Sequence, residues 1–160
     1  MNLVKMKKSY EEMLFRYGIS CAENLVFLGT ISPTDYNKLV SYSRRKDIPD
    51  REFLERVFSV AVTRIGEKTP EAVDEYFRRR HNQLIDRREG NYTKMPGVLC
   101  ELCKVREGEI IGIDDSKKVP FPVYRVRYQD GEDIAFGKYF NDFNVGDRIV
   151  VHNKSVVRKL

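Results

Sequence analysis

Apolar residues recur at helical spacing through the first half of the chain and at strand spacing through the second half. The helical spacing extends from Leu3 to about Arg88 and predicts five helices joined by short turns. The period changes to two after a segment rich in turn-forming residues, 90–97. We therefore predict an α+β protein, with an all-α helical bundle over 1–89, a linker over 90–97 and a small β-barrel over 98–160.

Local signals for helix starts and ends divide the first half of the chain. The first apolar stripe stops at Gly18, and Ser20 with Glu23 forms a capping box that predicts a new helix over 20–29. Cys21 then lies in the first turn of that helix, where we interpret it as a packed cysteine. A capping residue shortly before a proline starts each of the later helices, at Ser32-Pro33, Asp47-Ile48-Pro49 and Thr69-Pro70.

Short alternating segments follow in the second half of the chain. Tyr124 and Val126 fall on one face of a strand, and Arg125 and Arg127 fall on the other. Short strands in so small a segment cannot bury both faces of an open sheet, so we predict that they curl into an OB-like or SH3-like barrel. Residues 98–105 fit a strand or a helical turn equally well. The predicted strands cover 109–113, 121–128, 133–136, 148–152 and 155–158.

Composition excludes several classes of protein. The chain has 160 residues, 41% hydrophobic and 33% charged, which is typical of a folded domain with a charged surface. No apolar run is long enough to span a membrane, and the first residues lack the apolar core of a secretory signal. We therefore expect a cytoplasmic protein that does not act at a membrane. Its three cysteines then favour packing, metal binding or thiol chemistry over a disulfide framework.

The spacing of two cysteines suggests a metal site. Cys100 and Cys103 form a C-x-x-C pair, which brings two sulfurs within reach of one soft ion such as zinc or iron. A second such pair is missing, so further ligands must come from His152, Cys21, His81 or another chain. The alternative is that both cysteines are small core residues beside Leu99 and Leu102. A thioredoxin-like redox role is disfavoured, because no βαβ pattern surrounds the pair.

His81 continues the apolar stripe of its predicted helix. It follows Val73 and Phe77 at helical spacing, which places it at the edge of the buried face. We interpret it as a boundary residue whose ring bonds a local carbonyl.

Basic residues suggest a second kind of partner. The net charge is +5, from 29 Lys and Arg against 24 Asp and Glu, and cations release counterions from nucleic-acid phosphates. Charges of both signs are interspersed along the chain, however, which is also typical of an ordinary soluble surface. A nucleic-acid-binding protein is therefore the alternative hypothesis, using a barrel face and basic helices at Arg125, Arg127, Arg78, Arg79, Arg44 and Arg45.

Two motifs of the second half resemble a known family. The run from Cys103 to Asp114 and the run V-G-D-R-I-V-V-H, which ends at His152, resemble the hydrogenase maturation chaperone family of the HypC/HupF type. The resemblance implies an OB-like barrel in which Cys103 and His152 hold an iron fragment and pass it between partner proteins. The chain differs in having Glu107 where the family has proline, and in placing the cysteine behind a helical segment.

These observations lead to one prediction of function. No Gly-rich phosphate loop and no H-E-x-x-H or G-x-S-x-G motif occurs, so we predict a protein without enzymatic activity. We expect an accessory protein that binds another protein through its small barrel, linked to metalloenzyme assembly. The predicted metal ligands are Cys103 and His152, with Cys100 assisting, and the ion is iron or zinc. The barrel can alternatively act as a module for homodimerisation.

Overall fold

The chain folds as a helical half followed by a closed β-barrel, in a computed structural model that describes residues 8–114 and 118–160. The predicted α+β class, with helices first and a barrel second, is confirmed. The predicted start of the first helix at Leu3 lies outside the described residues. No helix among the described residues is long and apolar enough to cross a membrane.

Among the described residues, the helical half contains α1 to α7, together with one π-helical and one 3-10 segment. A single continuous helix, α1, runs from Tyr10 to Phe27, and Ser9 caps its first turn. In chain order, the others are α2 (Pro33–Arg44), α3 (Arg51–Val57), α4 (Ser59–Ile65), α5 (Pro70–Glu75), a π-helical segment (Tyr76–Arg80), α6 (His81–Asp86), a 3-10 segment (Gly90–Thr93) and α7 (Gly97–Cys103).

The predicted break at Gly18 is wrong, because α1 continues through it. A side chain at Gly18 would meet the ring of Phe58 at 2.5 Å, so glycine is needed there for close packing rather than as a stop. Ser20 does not cap a new helix either. Its hydroxyl donates to the carbonyl of Arg16 one turn earlier, at 3.1 Å. Cys21 therefore lies deep within α1 instead of in a first turn.

The later helix starts follow their signals with two changes. Ser32 caps α2 and Thr69 caps α5, as predicted. Asp50, rather than Asp47, caps α3 by accepting from the backbone N–H of Phe53 at 2.9 Å. The predicted single helix beyond it is interrupted at Phe58, whose backbone leaves the helical region and separates α3 from α4.

Five strands close the barrel. They are β1 (Arg106–Asp114), β2 (Val123–Tyr128), β3 (Gly131–Phe136), β4 (Arg148–His152) and β5 (Ser155–Lys159). The order around the barrel is β1-β2-β3-β5-β4, and antiparallel pairing of β4 with β1 closes it. The contact between β3 and β5 is parallel, through Phe136 and Ser155. The ambiguous segment before β1 is the helix α7.

Strand β4 is buried on both of its faces. Ile149 and Val151 point into the barrel, where they pack with Ile110 and Val126. Side chains alternate along a strand, so Val150 and His152 point outward. The outer face is buried as well, because α1 packs against β4 and β5. This packing places His152 between the barrel and the helical half.

Candidate metal centre

Three potential metal ligands meet where the helical half packs on the barrel. Cys21 comes from the middle of α1, Cys103 is the last residue of α7, and His152 is the last residue of β4. One ligand atom from each lies within 4.8 Å of the other two, and all three residues are buried. Two thiols and one imidazole form a soft donor set, so the group can hold a metal ion.

A backbone hydrogen bond fixes the orientation of the His152 ring. The Nδ1 atom lies 2.9 Å from the carbonyl oxygen of Tyr17, and a carbonyl only accepts, so Nδ1 carries the proton and donates. The other nitrogen, Nε2, then presents a lone pair. It is buried and has no hydrogen-bond partner among the described residues. Metal-binding histidines are commonly held in this way, with one ring nitrogen bonded to a carbonyl and the other on the metal.

The sulfurs of Cys21 and Cys103 are hydrogen-bonded to each other. The Sγ atoms of Cys21 and Cys103 are 3.0 Å apart. The hydrogen bond from Cys21 lowers the pKa of Cys103 against the opposing effect of burial, and the nearby His152 lowers it further. The same hydrogen bond, together with burial, raises the pKa of Cys21. The first proton therefore leaves Cys103, whose thiolate is the form that binds metals.

Amide side chains support the Cys103 sulfur from the edge of the group. The Nδ2 atom of Asn24 lies 3.5 Å from Sγ of Cys103 and also donates to Oδ1 of Asn153 at 3.3 Å. The amide of Asn153 in turn donates to the carbonyl of Ser20 at 3.0 Å. These contacts tie the turn after β4 to α1, next to the Cys103 sulfur.

His81 and Phe77 form an aromatic wall around the His152 ring. The His81 ring lies perpendicular to that of His152, at 4.9 Å between centroids, and the Phe77 ring lies at 5.7 Å. Phe77 lies in the π-helical segment and His81 follows it directly, and such segments occur frequently at functional sites. His81 is buried as part of this wall instead of lying at a boundary.

His81 is held as a neutral ring. Its Nε2 accepts from the hydroxyl of Tyr92 at 2.8 Å. Burial and then the neighbouring His152 lower the pKa of His81 to about 3, so the ring is uncharged at neutral pH. The prediction that His81 bonds a local carbonyl is wrong. Its ring instead contacts the Tyr92 hydroxyl and, through Nδ1, the Oδ1 atom of Asn82 at 3.4 Å.

The structure places Cys21, rather than Cys100, with Cys103 and His152. The sulfur of Cys100 contacts Nη1 of Arg88 at 2.9 Å and the carbonyl of Met95 at 3.7 Å. Cys100 is not a member of the group of ligand atoms. In the sequence, Cys21 is one of several candidate soft ligands. The signal that identifies it is helical spacing, because it lies four residues after Tyr17 on the buried stripe of α1.

The arginines of the nucleic-acid hypothesis lie on separate parts of the surface. Arg125 and Arg127 are exposed on β2, and Arg127 faces Glu132 at 3.5 Å. Arg44 and Arg45 line a cleft of about 940 Å³ between the helices and the loop that follows β3.

Acidic residues surround the remaining pair of arginines. Arg78 and Arg79 line a different cleft, with Glu71, Asp74, Glu75 and Glu107. Arg78 forms ion pairs with Asp74 at 3.0 Å and with Glu107. Four carboxylates in this cleft offset the attraction of two arginines for phosphate.

Comparison of the chain with protein-family models, curated proteins and solved structures finds no match in any of the three. The fold and the site of the chain define a helical half packed on a small barrel, with a buried group of two thiols and one imidazole at the junction.

Proposed function

We propose that the chain is a metal-binding accessory protein that holds one soft divalent ion with Cys21, Cys103 and His152. The observation that carries the proposal is the buried Nε2 of His152, which has no hydrogen-bond partner among the described residues. Tyr17 orients the ring, and one ring nitrogen lies within 4.8 Å of the two sulfurs. A buried nitrogen that lacks a partner costs free energy. A bound ion removes that cost.

The donor set favours zinc among the soft ions. Zinc binds cysteine sulfur at about 2.3 Å and histidine nitrogen at about 2.0–2.1 Å, in tetrahedral geometry. Two sulfurs on such an ion are about 3.8 Å apart. The sulfurs of Cys21 and Cys103, at 3.0 Å, therefore have to separate by less than 1 Å. Tetrahedral zinc takes a fourth ligand, which a small molecule or a second protein supplies. Iron is the competing ion.

The ion stabilises the junction of the two halves. Its ligands come from α1, α7 and β4, so binding links two helices to the barrel. Because Cys103 and His152 are fully buried, we expect slow exchange of the ion. Delivery to another protein requires the junction to open.

The accessory role follows from the resemblance to hydrogenase maturation chaperones. Cys103 and His152 match the cysteine and the histidine of that family, and both belong to the ligand group. The strand order β1-β2-β3-β5-β4 and the parallel contact of β3 with β5 support an OB-like barrel. We therefore propose that the bound ion serves metalloenzyme assembly, with another protein as the partner.

Metal analysis of the purified chain tests the proposal. Protein prepared without chelators should contain about one equivalent of metal per chain. Elemental mass spectrometry measures the zinc and the iron in the same sample. Cys103→Ser should contain at least tenfold less metal per chain, because it lacks one of the ligands. Cys100→Ser is the matched control and should keep the metal, because its sulfur lies outside the group. A wild-type protein that takes up no metal, or equal loss in both variants, contradicts the proposal.

A further inference from the structure

We propose that Cys21 and Cys103 are an oxidation site, at which a hydroperoxide converts the two thiols into a disulfide and so removes both sulfur ligands. The disulfide itself depends only on the positions of the two sulfurs. Its effect on the ion rests on the proposed function. The site therefore has two exclusive states, a reduced state that holds metal and an oxidised state that does not.

The positions of the sulfurs favour this pairing over any other. The Sγ atoms of Cys21 and Cys103 are 3.0 Å apart, about 1 Å longer than a disulfide bond of ~2.05 Å. The C-x-x-C spacing would instead suggest a bond between Cys100 and Cys103. The Cys100 sulfur, however, is held by the Arg88 guanidinium at 2.9 Å and the Met95 carbonyl at 3.7 Å.

The reaction balances with a hydroperoxide as the oxidant. One sulfur attacks the peroxide, the O–O bond breaks, a sulfenic acid forms and the first water leaves. The second sulfur attacks the sulfenic sulfur, the S–O bond breaks and a second water leaves with the remaining thiol proton. In total, two thiols lose two electrons and two protons, and hydrogen peroxide is reduced to two water molecules.

Only a small oxidant can reach the buried sulfurs of Cys21 and Cys103. Cys21 is only 6% exposed and Cys103 is fully buried, so a bulky disulfide such as that of glutathione does not reach the sulfurs in the folded chain. Hydrogen peroxide is about the size of two water molecules. We therefore expect peroxide to oxidise the folded protein and oxidised glutathione to have no effect on it.

Peptide mapping of the full-length, metal-free protein tests the inference. After treatment with hydrogen peroxide and blocking of free thiols, trypsin releases Cys21 in the peptide 17–38 and both other cysteines in the peptide 95–104. The proposed disulfide joins these two peptides, whereas a bond between Cys100 and Cys103 lies within the second peptide. We expect the joined pair, lost on reduction, and the same pair from Cys100→Ser.

The outcomes separate this inference from the proposed function. Recovery of a bond between Cys100 and Cys103, or of sulfinic acid without any disulfide, overturns the inference and leaves metal binding untouched. Because the chain is metal-free in this experiment, failure to bind zinc does not affect its result. A parallel sample loaded with zinc should form the disulfide at least tenfold more slowly. Fragmentation of the joined peptides between Cys100 and Cys103 assigns the bond in the wild-type chain, so the assignment does not depend on the folding of Cys100→Ser.

Discussion

In excess zinc, the chain is expected to unfold with a free energy about 4 kcal/mol larger than that of the metal-free chain, when free zinc is about a thousandfold above its dissociation constant. The reason is that an ion held by α1, α7 and β4 binds the folded state, in which its three ligands converge. For a chain of this size, the increment corresponds to a rise in the unfolding midpoint of roughly 8–16 °C. Denaturant titration with and without zinc measures it.

The control for this prediction is the increase in unfolding free energy that zinc produces in two variants, here called the zinc increment. His152→Ala should lose most of the increment, since it removes the only nitrogen of the ligand group. Cys100→Ser should retain it. His152→Ala also loses packing, so the comparison uses the difference made by zinc within each variant and not the absolute stability. An equal increment in wild type and His152→Ala contradicts the account.

Asp74→Asn is expected to destabilise the chain by about 2–4 kcal/mol at neutral pH, because it leaves two arginines without their shared carboxylate. Oδ1 of Asp74 accepts from the hydroxyl of Tyr17 at 2.5 Å and from Arg158 at 3.2 Å, and Oδ2 accepts from Arg78 at 3.0 Å. These bonds join α1 and the π-helical segment to β5, so the carboxylate connects the helical half to the barrel. Thermal and urea unfolding measure the loss.

The Asp74 carboxylate also makes the free energy of unfolding depend on pH. Burial opposes the ionisation of Asp74, but the bonds from Tyr17 and Arg78 and the charge of Arg158 outweigh it and lower the pKa of Asp74. A lowered folded pKa means that this stabilisation is present above the usual aspartate value of about 3.9 and is lost as the pH falls further. The stabilities of wild type and Asp74→Asn should therefore converge below about pH 4.

A nearby surface carboxylate provides the control for Asp74. Glu75 is exposed and lies 3.9 Å from Arg79, which is also exposed. Glu75→Gln should change the free energy of unfolding by less than about 0.5 kcal/mol. Two results would show that the Asp74 carboxylate does not connect the two halves. One is a similar loss of unfolding free energy in Asp74→Asn and Glu75→Gln. The other is a stability difference between Asp74→Asn and wild type that stays the same below about pH 4.

The sequence predicts elements wherever a local rule decides the structure. The caps at Ser32 and Thr69 and the alternation of β2 depend on neighbouring residues, and the structure has them in place. Gly18 misled the prediction because its role depends on Phe58, which is distant in the sequence. Helix propensity penalises an interior glycine, and only the packing of Phe58 shows why α1 accepts one.

The candidate site was only partly predictable for the same reason. The resemblance of the barrel segment indicated Cys103 and His152 as a pair. Cys21 is only one of several candidate ligands in the sequence, because the predicted break at Gly18 places it in a first turn and hides its position on the buried stripe of α1. Tyr92 and Met95, in the segment predicted as a linker, are buried in the same cluster as Cys21 and Cys103. Long-range packing of this kind leaves no local pattern in the sequence.

X-ray absorption at the zinc edge, measured on the full-length chain loaded with one equivalent of zinc, tests the central claim most directly. The account predicts two sulfur neighbours at about 2.3 Å and a histidine nitrogen at about 2.0–2.1 Å, with one sulfur lost in Cys21→Ser and none lost in Cys100→Ser. A zinc ion surrounded only by oxygen and nitrogen, or one that keeps both sulfurs in Cys21→Ser, would contradict it.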